Sequence, residues 1–234
     1  MFLDPYFSVQ DGLVRITAEQ ASRFAKEIAG DFNPIHDPDA KRFCVPGDLL
    51  FALVLSRYGL SSRMEFAFRG MVGDDVPLVF PDQPGETFDV ADQAGKVYLQ
   101  VLRGGETTGD PAVVEGMVRR YVAFSGRNFP HFLLPLLEEK QVMFNPDRPL
   151  VIYDSMGFEL TRLDATAPAM ELVGSSLDVA GKRGDARLRF RIDADGEAVG
   201  SGAKKLTISS LRAYDETRIQ AFVADFERRR DYRR

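Results

Sequence analysis

The chain has one cysteine, no tryptophan and two histidines among 234 residues. Cys44 therefore has no partner for an internal disulfide, and with only His36 and His131 no zinc-ligand cluster exists. A reducing cytoplasm is the expected home, and no metal or redox cofactor is expected. Neither sign of charge dominates: 30 basic residues against 35 acidic ones leave a net charge of −5, which does not attract a phosphate backbone. Nucleic acid is not an expected partner. No window approaches roughly eighteen apolar residues without a charge, and the opening MFLDPYFSVQDG lacks a basic segment followed by an apolar run, so neither a membrane span nor an export signal is expected. What the chain does have is 44% hydrophobic and 11% aromatic residues, the profile of a folded core rather than of disorder. One large domain or two small ones would fit this length.

Pattern decides between them. Phe88-Asp89-Val90-Ala91, followed by Gly95 and then Val97, Leu99 and Val101, recurs at one constant offset as Leu177-Asp178-Val179-Ala180, Gly184, Ala186, Leu188 and Phe190. Each copy reads as a hairpin with alternate apolar positions. Further on, VVEGMVRRYVAF (113–124) resembles AVGSGAKKLTIS (198–209), which predicts a strand in both places. The Arg119-Arg120 and Lys204-Lys205 pairs then occupy matching strand positions. Alternation turns one member of each pair outward, and a solvated role is expected, with a nucleotide phosphate contact as the alternative.

Each half also offers one apolar helix, 46–60 in the first and 128–140 in the second, the latter expected to be kinked or interrupted by Pro135. Strands are expected around 64–72, 76–80, 86–92, 96–103 and 112–124, then 151–163, 169–180, 185–193 and 198–213. This is an α+β pattern with one nearly all-apolar helix per antiparallel sheet, and such a helix needs cover on most sides. A sheet wrapping its helix is the hot-dog arrangement, so the expectation is a double hot dog with units 1–124 and 125–234. Two unrelated α+β sandwiches are the alternative. A closing helix, DETRIQAFVADFERRR, spaces Ile219, Phe222, Val223 and Phe226 for packing on the outside of the second unit. The basic run FERRRDYRR at its end is read as a solvated helix terminus, with a ligand phosphate contact as the alternative.

The segment from Phe24 to Ala40 carries the chemistry. A helix from about 18 to 29 is predicted, capped by Thr17 and ended by Gly30. Pro34 holds Asn33 out of helical geometry, and Asp37-Pro38 reads as a new helix start. Asp31 and His36 are left on one short loop, where two titratable groups can aim at the same small volume, as acid/base chemistry requires.

The run Gly30-Asp31-Phe32-Asn33-Pro34-Ile35-His36 resembles the motif of the MaoC-like dehydratase family, whose (R)-specific 2-enoyl-CoA hydratases carry Gly-Asp-x-Asn-Pro-x-His. The resemblance implies a hot-dog fold and the reversible hydration of a 2-enoyl thioester on coenzyme A or an acyl carrier. In such enzymes the Asp and His hold water and move its proton while backbone amides polarise the thioester carbonyl, which implies those proton-transfer roles for Asp31 and His36. Gly47, at the start of an apolar helix, is the candidate amide donor. Asn33 would brace the loop, since an amide orients neighbours but does not transfer protons. The stretch DAKRFCVPGDLLFALVLSRYGLS also resembles a bacterial family of unknown function related to hot-dog proteins, which implies no activity.

The chain departs from the hydratase pattern at Val45-Pro46-Gly47-Asp48-Leu49, where the hydratases read roughly apolar-His-Gly-Met-Leu. Asp48 there would repel an enolate, and it supports a second reading: a hot-dog thioesterase in which Asp48 activates water. A third reading is a binding or structural protein. In it Asp31 satisfies loop amides, His36 is a structural histidine, Gly47 serves backbone conformation and Asp48 complements a helix start. Cys44 is expected to be an inert thiol and His131 a core-edge residue of the second helix. The second unit carries no motif, since SGRNFPHF has Asn128 and His131 but no Asp, so it would complete the pocket. Whether two chains pair as a homodimer stays open.

Overall fold

Ala186, Leu188, Phe190 and Ile192 are fully buried while Arg187, Arg189 and Arg191 between them are exposed, the period-two signature of a strand with one packed face. The computed structural model, which describes residues 2–128, 131–146 and 150–231, places this strand in a ten-stranded antiparallel sheet. The strands are β1 (Ser8–Gln10), β2 (Leu13–Arg15), β3 (Leu60–Phe68), β4 (Leu78–Val79), β5 (Thr87–Asp92), β6 (Val97–Thr108), β8 (Val151–Leu160), β9 (Ala169–Ala180), β10 (Arg183–Ala194) and β11 (Glu197–Ser209). Their order is β1-β2-β4-β5-β6-β3-β8-β11-β10-β9. Two short strands, β7 (Val142–Met143) and β12 (Arg212–Ala213), pair separately. Among the described residues five α-helices complete the α+β fold: α1 (Ala18–Phe24), α2 (Gly47–Tyr58), α3 (Pro111–Ser125), α4 (Leu133–Glu139) and α5 (Glu216–Asp231).

β3 and β8 pair at the centre, Met64 opposite Phe158 and Phe66 opposite Met156, with all four side chains buried. The halves of the chain thus share one sheet and one continuous inner face. Helix α2 lies against it with every residue from Asp48 to Leu55 buried. Phe66 from the sheet and Tyr121 from α3 close on Phe51 at ring distances of 5.1 and 4.7 Å. The expectation of an apolar helix covered on most sides is met by strand on one flank and helix on the other.

The stretch 112–124, expected as a strand, is helix α3. Asp110 caps it by accepting from the amides of Ala112 and Val113 at 2.8 and 3.2 Å, and Pro111 stands where its missing N–H costs nothing. Val114, Met117, Val118, Tyr121 and Val122 are buried at helical spacing. Arg119 and Arg120 lie on the exposed face of a helix rather than on a strand, Arg119 pairing with Glu115 one turn earlier at 2.7 Å.

The internal repeat is corrected as well. Counted outward from β3–β8, the equivalent strands are β6 with β11 and β5 with β10. The similar segments therefore form hairpins, β5–β6 and β9–β10, that occupy different places. Their registers differ too, Phe88 facing Val101 while Leu177 faces Ala186. β9–β10 closes through the two residues Gly181-Lys182, so a constant sequence offset cannot preserve pairing.

Of the helix expected over 128–140, α4 covers Leu133–Glu139, and Phe129 and Pro130 lie outside the described residues. Pro135 sits in the first turn of α4, where no intrahelical N–H is needed, and the helix continues past it to Glu139. Asp37-Pro38 starts no helix but a turn closed by the Ala40 amide on the Asp37 carbonyl at 3.0 Å. Helix α5 forms as expected, burying Ile219 and Phe226 against the second half, and Phe226 also meets Phe32 edge-on at 6.0 Å. Among the described residues no helix is long and apolar enough to cross a membrane.

Candidate active site

The motif loop is built by successive local bonds. The Thr17 hydroxyl accepts from the Gln20 amide at 3.3 Å, and the Gln20 side chain accepts from the Thr17 amide at 3.0 Å, a reciprocal cap for α1. The helix widens over Ala25–Ala29 and ends at Gly30, which takes the left-handed conformation at φ 64°. Asp31 Oδ1 accepts from the Asn33 amide at 2.9 Å, and Asn33 Oδ1 accepts from the Ile35 amide at 3.2 Å, capping the short turn Pro34–His36. Asn33 is buried and braces the loop through this bond.

These bonds bring Asp31 and His36 face to face. The His36 ring lies with Nδ1 2.7 Å from the Cys44 carbonyl, a geometry in which Nδ1–H donates and Nε2 is free to accept. Nε2 stands 3.6 Å from Asp31 Oδ2. That separation is too long for a direct hydrogen bond, and it lets both groups address one oxygen set to the side of the line joining them. One Asp31 oxygen thus satisfies a loop amide and the other faces the histidine.

Gly126, just after α3, locks this loop from behind. A Cβ there would stand 1.9 Å from the Ala29 carbonyl oxygen, so only glycine lets the end of α3 seat against the helix that carries the motif. Asp37, beyond the motif, is held by Lys26 at 2.5 Å and by Arg229 of α5 at 3.1 Å. Within the described part of the basic C-terminal run, Arg229 also meets Asp225, and Arg230 meets Glu227. Residues 232–234 lie outside the described residues.

Asp31 and His36 open onto a cavity of about 290 Å³ that Gly47, Asp48, Ser125 and Lys204 also line. All five residues singled out in the sequence, Asn33 included, are brought to this one space. Gly47 is the first residue of α2, and a Cβ on it would meet the rings of Phe68 and Tyr153 at 2.8 and 3.0 Å. Its role is close approach, and it leaves the helix N-terminus, with its outward amides and favourable dipole, at the cavity wall.

Lys204 is the residue that sequence reasoning missed. It is 3% exposed, not solvated, and donates to the Ser125 hydroxyl while its ammonium sits 3.7 Å above the Tyr153 ring. The signal was present in the Lys204-Lys205 alternation: Lys205 turns outward to Asp154 at 3.2 Å, and Lys204 turns in. Tyr153 reaches the same space through a bulge, since Lys205 pairs with Ser155 and Leu206 with Tyr153, leaving Asp154 as the extra residue. The Tyr153 and Tyr121 hydroxyls bond each other.

Burial dominates the electrostatics. It pushes the Asp48 carboxyl up, against the opposing pull of Lys204 and a hydrogen bond from Ser125. It pushes Lys204 down, against the attraction of Asp48 and Asp31. Burial thus works against the charge on each group, while their attraction for each other works for it. The Cys44 thiol is pushed up to about 12 by burial and donates to the Val45 carbonyl at 3.2 Å, an inert arrangement. His131 is half exposed in a turn rather than at a core edge, 3.6 Å from Glu227 and away from the cavity. Among the described residues no group of three or more His, Cys, Asp or Glu is placed to hold a metal ion.

Residues 1–217 match the family described as "Protein of unknown function (DUF3581)", and the chain belongs to that family. No curated protein matches it in sequence. Among solved structures it is similar to a conserved hot-dog protein of unknown function from Alicyclobacillus acidocaldarius (10% identity, 92% of this chain and 99% of that one, TM-score 0.48). It is also similar to a MaoC-like dehydratase (9%, 88% and 98%, TM-score 0.43) and to an acyl-CoA thioesterase II from Mycobacterium marinum (11%, 92% and 99%, TM-score 0.37). Likenesses this distant leave the chemistry to the residues of the cavity.

Proposed function

We propose that this protein is a double hot dog, with units 1–124 and 125–234, that hydrates a 2-enoyl thioester or dehydrates the corresponding 3-hydroxyacyl thioester, carried on coenzyme A or an acyl carrier. The observation that carries the reading is the facing of His36 Nε2 and Asp31 Oδ2 across 3.6 Å, with the imidazole tautomer set by the Cys44 carbonyl. A water held beside the pair loses one proton as its oxygen bonds to the β-carbon, and a proton is delivered to the α-carbon. One O–H bond of the water and the π bond between the α- and β-carbons are broken, and one C–O and one C–H bond are formed. The developing enolate oxygen is stabilised by amides at the start of α2, with Gly47 as the donor. Asn33 holds the loop, and the second unit supplies the wall that carries Lys204 and Tyr153.

A second reading, thioester hydrolysis with Asp48 activating water, is favoured by one observation: Asp48 lines the same cavity and its Oδ1 has no hydrogen-bond partner among the described residues. Against it, Asp48 is 7% exposed and burial disfavours the carboxylate that hydrolysis needs. Asp31 is more accessible and is paired with its histidine.

The test follows enoyl absorbance and thiol release together, using short, medium and long trans-2-enoyl-CoA. Loss of the enoyl signal without thiol, abolished in Asp31→Asn, supports hydration. Thiol release that survives Asp31→Asn and is lost in Asp48→Asn moves the assignment to hydrolysis. Silence in both channels with every ester defeats both readings.

A further inference from the structure

Beyond the Asp31–His36 pair the cavity contains a second polar group formed by Asp48, Ser125 and Lys204, which the hydration chemistry does not use. Each of the three is more than nine-tenths buried. Among the described residues none donates a hydrogen bond to Asp48 Oδ1. Lys204 donates only to Ser125 among the described residues, and one flank of its ammonium rests on the Tyr153 ring. An ammonium has three donors, so this arrangement leaves both donor and acceptor capacity inside the cavity.

The surrounding wall is apolar, including Leu50, Val72, Leu133 and Leu206. An alkyl chain filling this space would leave Asp48 Oδ1 and the remaining Lys204 N–H groups desolvated and unmatched, a larger loss than any single methylene contact returns. A carboxylate-ended chain would bring a further negative charge beside Asp48 and Asp31. A hydroxyl matches both groups, donating to Asp48 Oδ1 and accepting from Lys204, and adds no charge.

Resting on the acyl-thioester reading above, we propose that the preferred ligand is a thioester whose acyl group carries a hydroxyl beyond the reacting carbons, held between Asp48 and Lys204. The two residues come from different halves of the chain, so selectivity for the acyl group is set where the halves meet.

The experiment is titration calorimetry with three non-hydrolysable ketone analogues, a methylene replacing the thioester sulfur, of butyryl-, 4-hydroxybutyryl- and succinyl-CoA. The hydroxylated analogue is expected to bind at least about tenfold more tightly than the other two. In the double variant Asp48→Leu/Lys204→Met, which replaces buried charges by apolar side chains, the preference is expected to pass to the butyryl analogue. Equal affinities in the wild type, or a preference for butyryl or succinyl, overturn the inference and leave the thioester reading standing. Binding of none of the three overturns both. Should the double variant fail to fold, the wild-type comparison decides alone.

Discussion

Two parts of the cavity hold acid groups in opposite ways. At the motif loop, Asp31 and His36 are 23% and 12% exposed and ordered by local backbone bonds within a few residues of each other. On the inner wall, Asp48 and Lys204 come from a helix of one half and a strand of the other, and burial biases both toward their neutral forms. The loop pair keeps access to water and can exchange protons with it. The wall pair lies deeper in the same cavity, where its polar atoms face whatever fills that space. A single carboxylate type thus takes two roles according to environment.

The contrast is broken most severely at the loop. Asp31→Asn is expected to lower hydration of the best enoyl thioester by roughly 10²- to 10⁴-fold, with little change in the thermal midpoint, measured by enoyl absorbance beside a melting curve. On the wall the order reverses and stability responds first. Lys204→Met leaves Asp48 without its cation and is expected to cost about 3 kcal/mol in chemical denaturation, most of it recovered in Asp48→Leu/Lys204→Met. A single variant as stable as wild type would show that the two residues do not depend on each other.

A smaller effect sharpens how the loop is held. Gly126→Ala drives a methyl into the Ala29 carbonyl. It is expected to cost about 1–3 kcal/mol and to lower activity by displacing Asp31, read from denaturation and turnover on one preparation. Unchanged activity would separate the α3 terminus from the motif.

The smallest effect is in pH dependence. Because the folded Asp48 carboxyl lies above its ordinary 3.8, the native state binds the proton more tightly. Its contribution is therefore present below 3.8 and is lost as pH rises through the elevated folded value. Lys204, lowered from 10.5, acts with the opposite sign, and its charging penalty is relieved as pH rises from its folded value toward 10.5. Asp48→Asn is expected to remove the stability loss on the acid side, seen as a flatter denaturation midpoint across mildly acidic pH. An unchanged slope would show that Asp48 does not titrate in that window.

Much of the loop was legible because its causes are local. Thr17 as cap, Gly30 as terminator and Asn33-Pro34 as a break each act over a few residues, and together they oblige Asp31 and His36 to share a loop. Failures fell where a local pattern had two physical solutions. Residues 112–124 carry β-branched residues that also fit a helical stripe, and the Asp110-Pro111 start favours the helix once Tyr121 can pack against Phe51. The repeat was real as sequence but slid by one strand, because hairpins resemble one another wherever they lie in a sheet.

From composition and short-range rules alone, the chain determined an α+β fold with a buried apolar helix, antiparallel strands and an acid–histidine loop. The membership of Lys204 and Tyr153 in the cavity was decided only by tertiary structure. A bulge at Asp154 turns Tyr153 inward, and the pairing of β8 with β11 sets Lys204 beside Ser125 and Asp48. Alternation tells which side of a strand a residue occupies, but which helix faces that side depends on contacts between segments far apart in sequence.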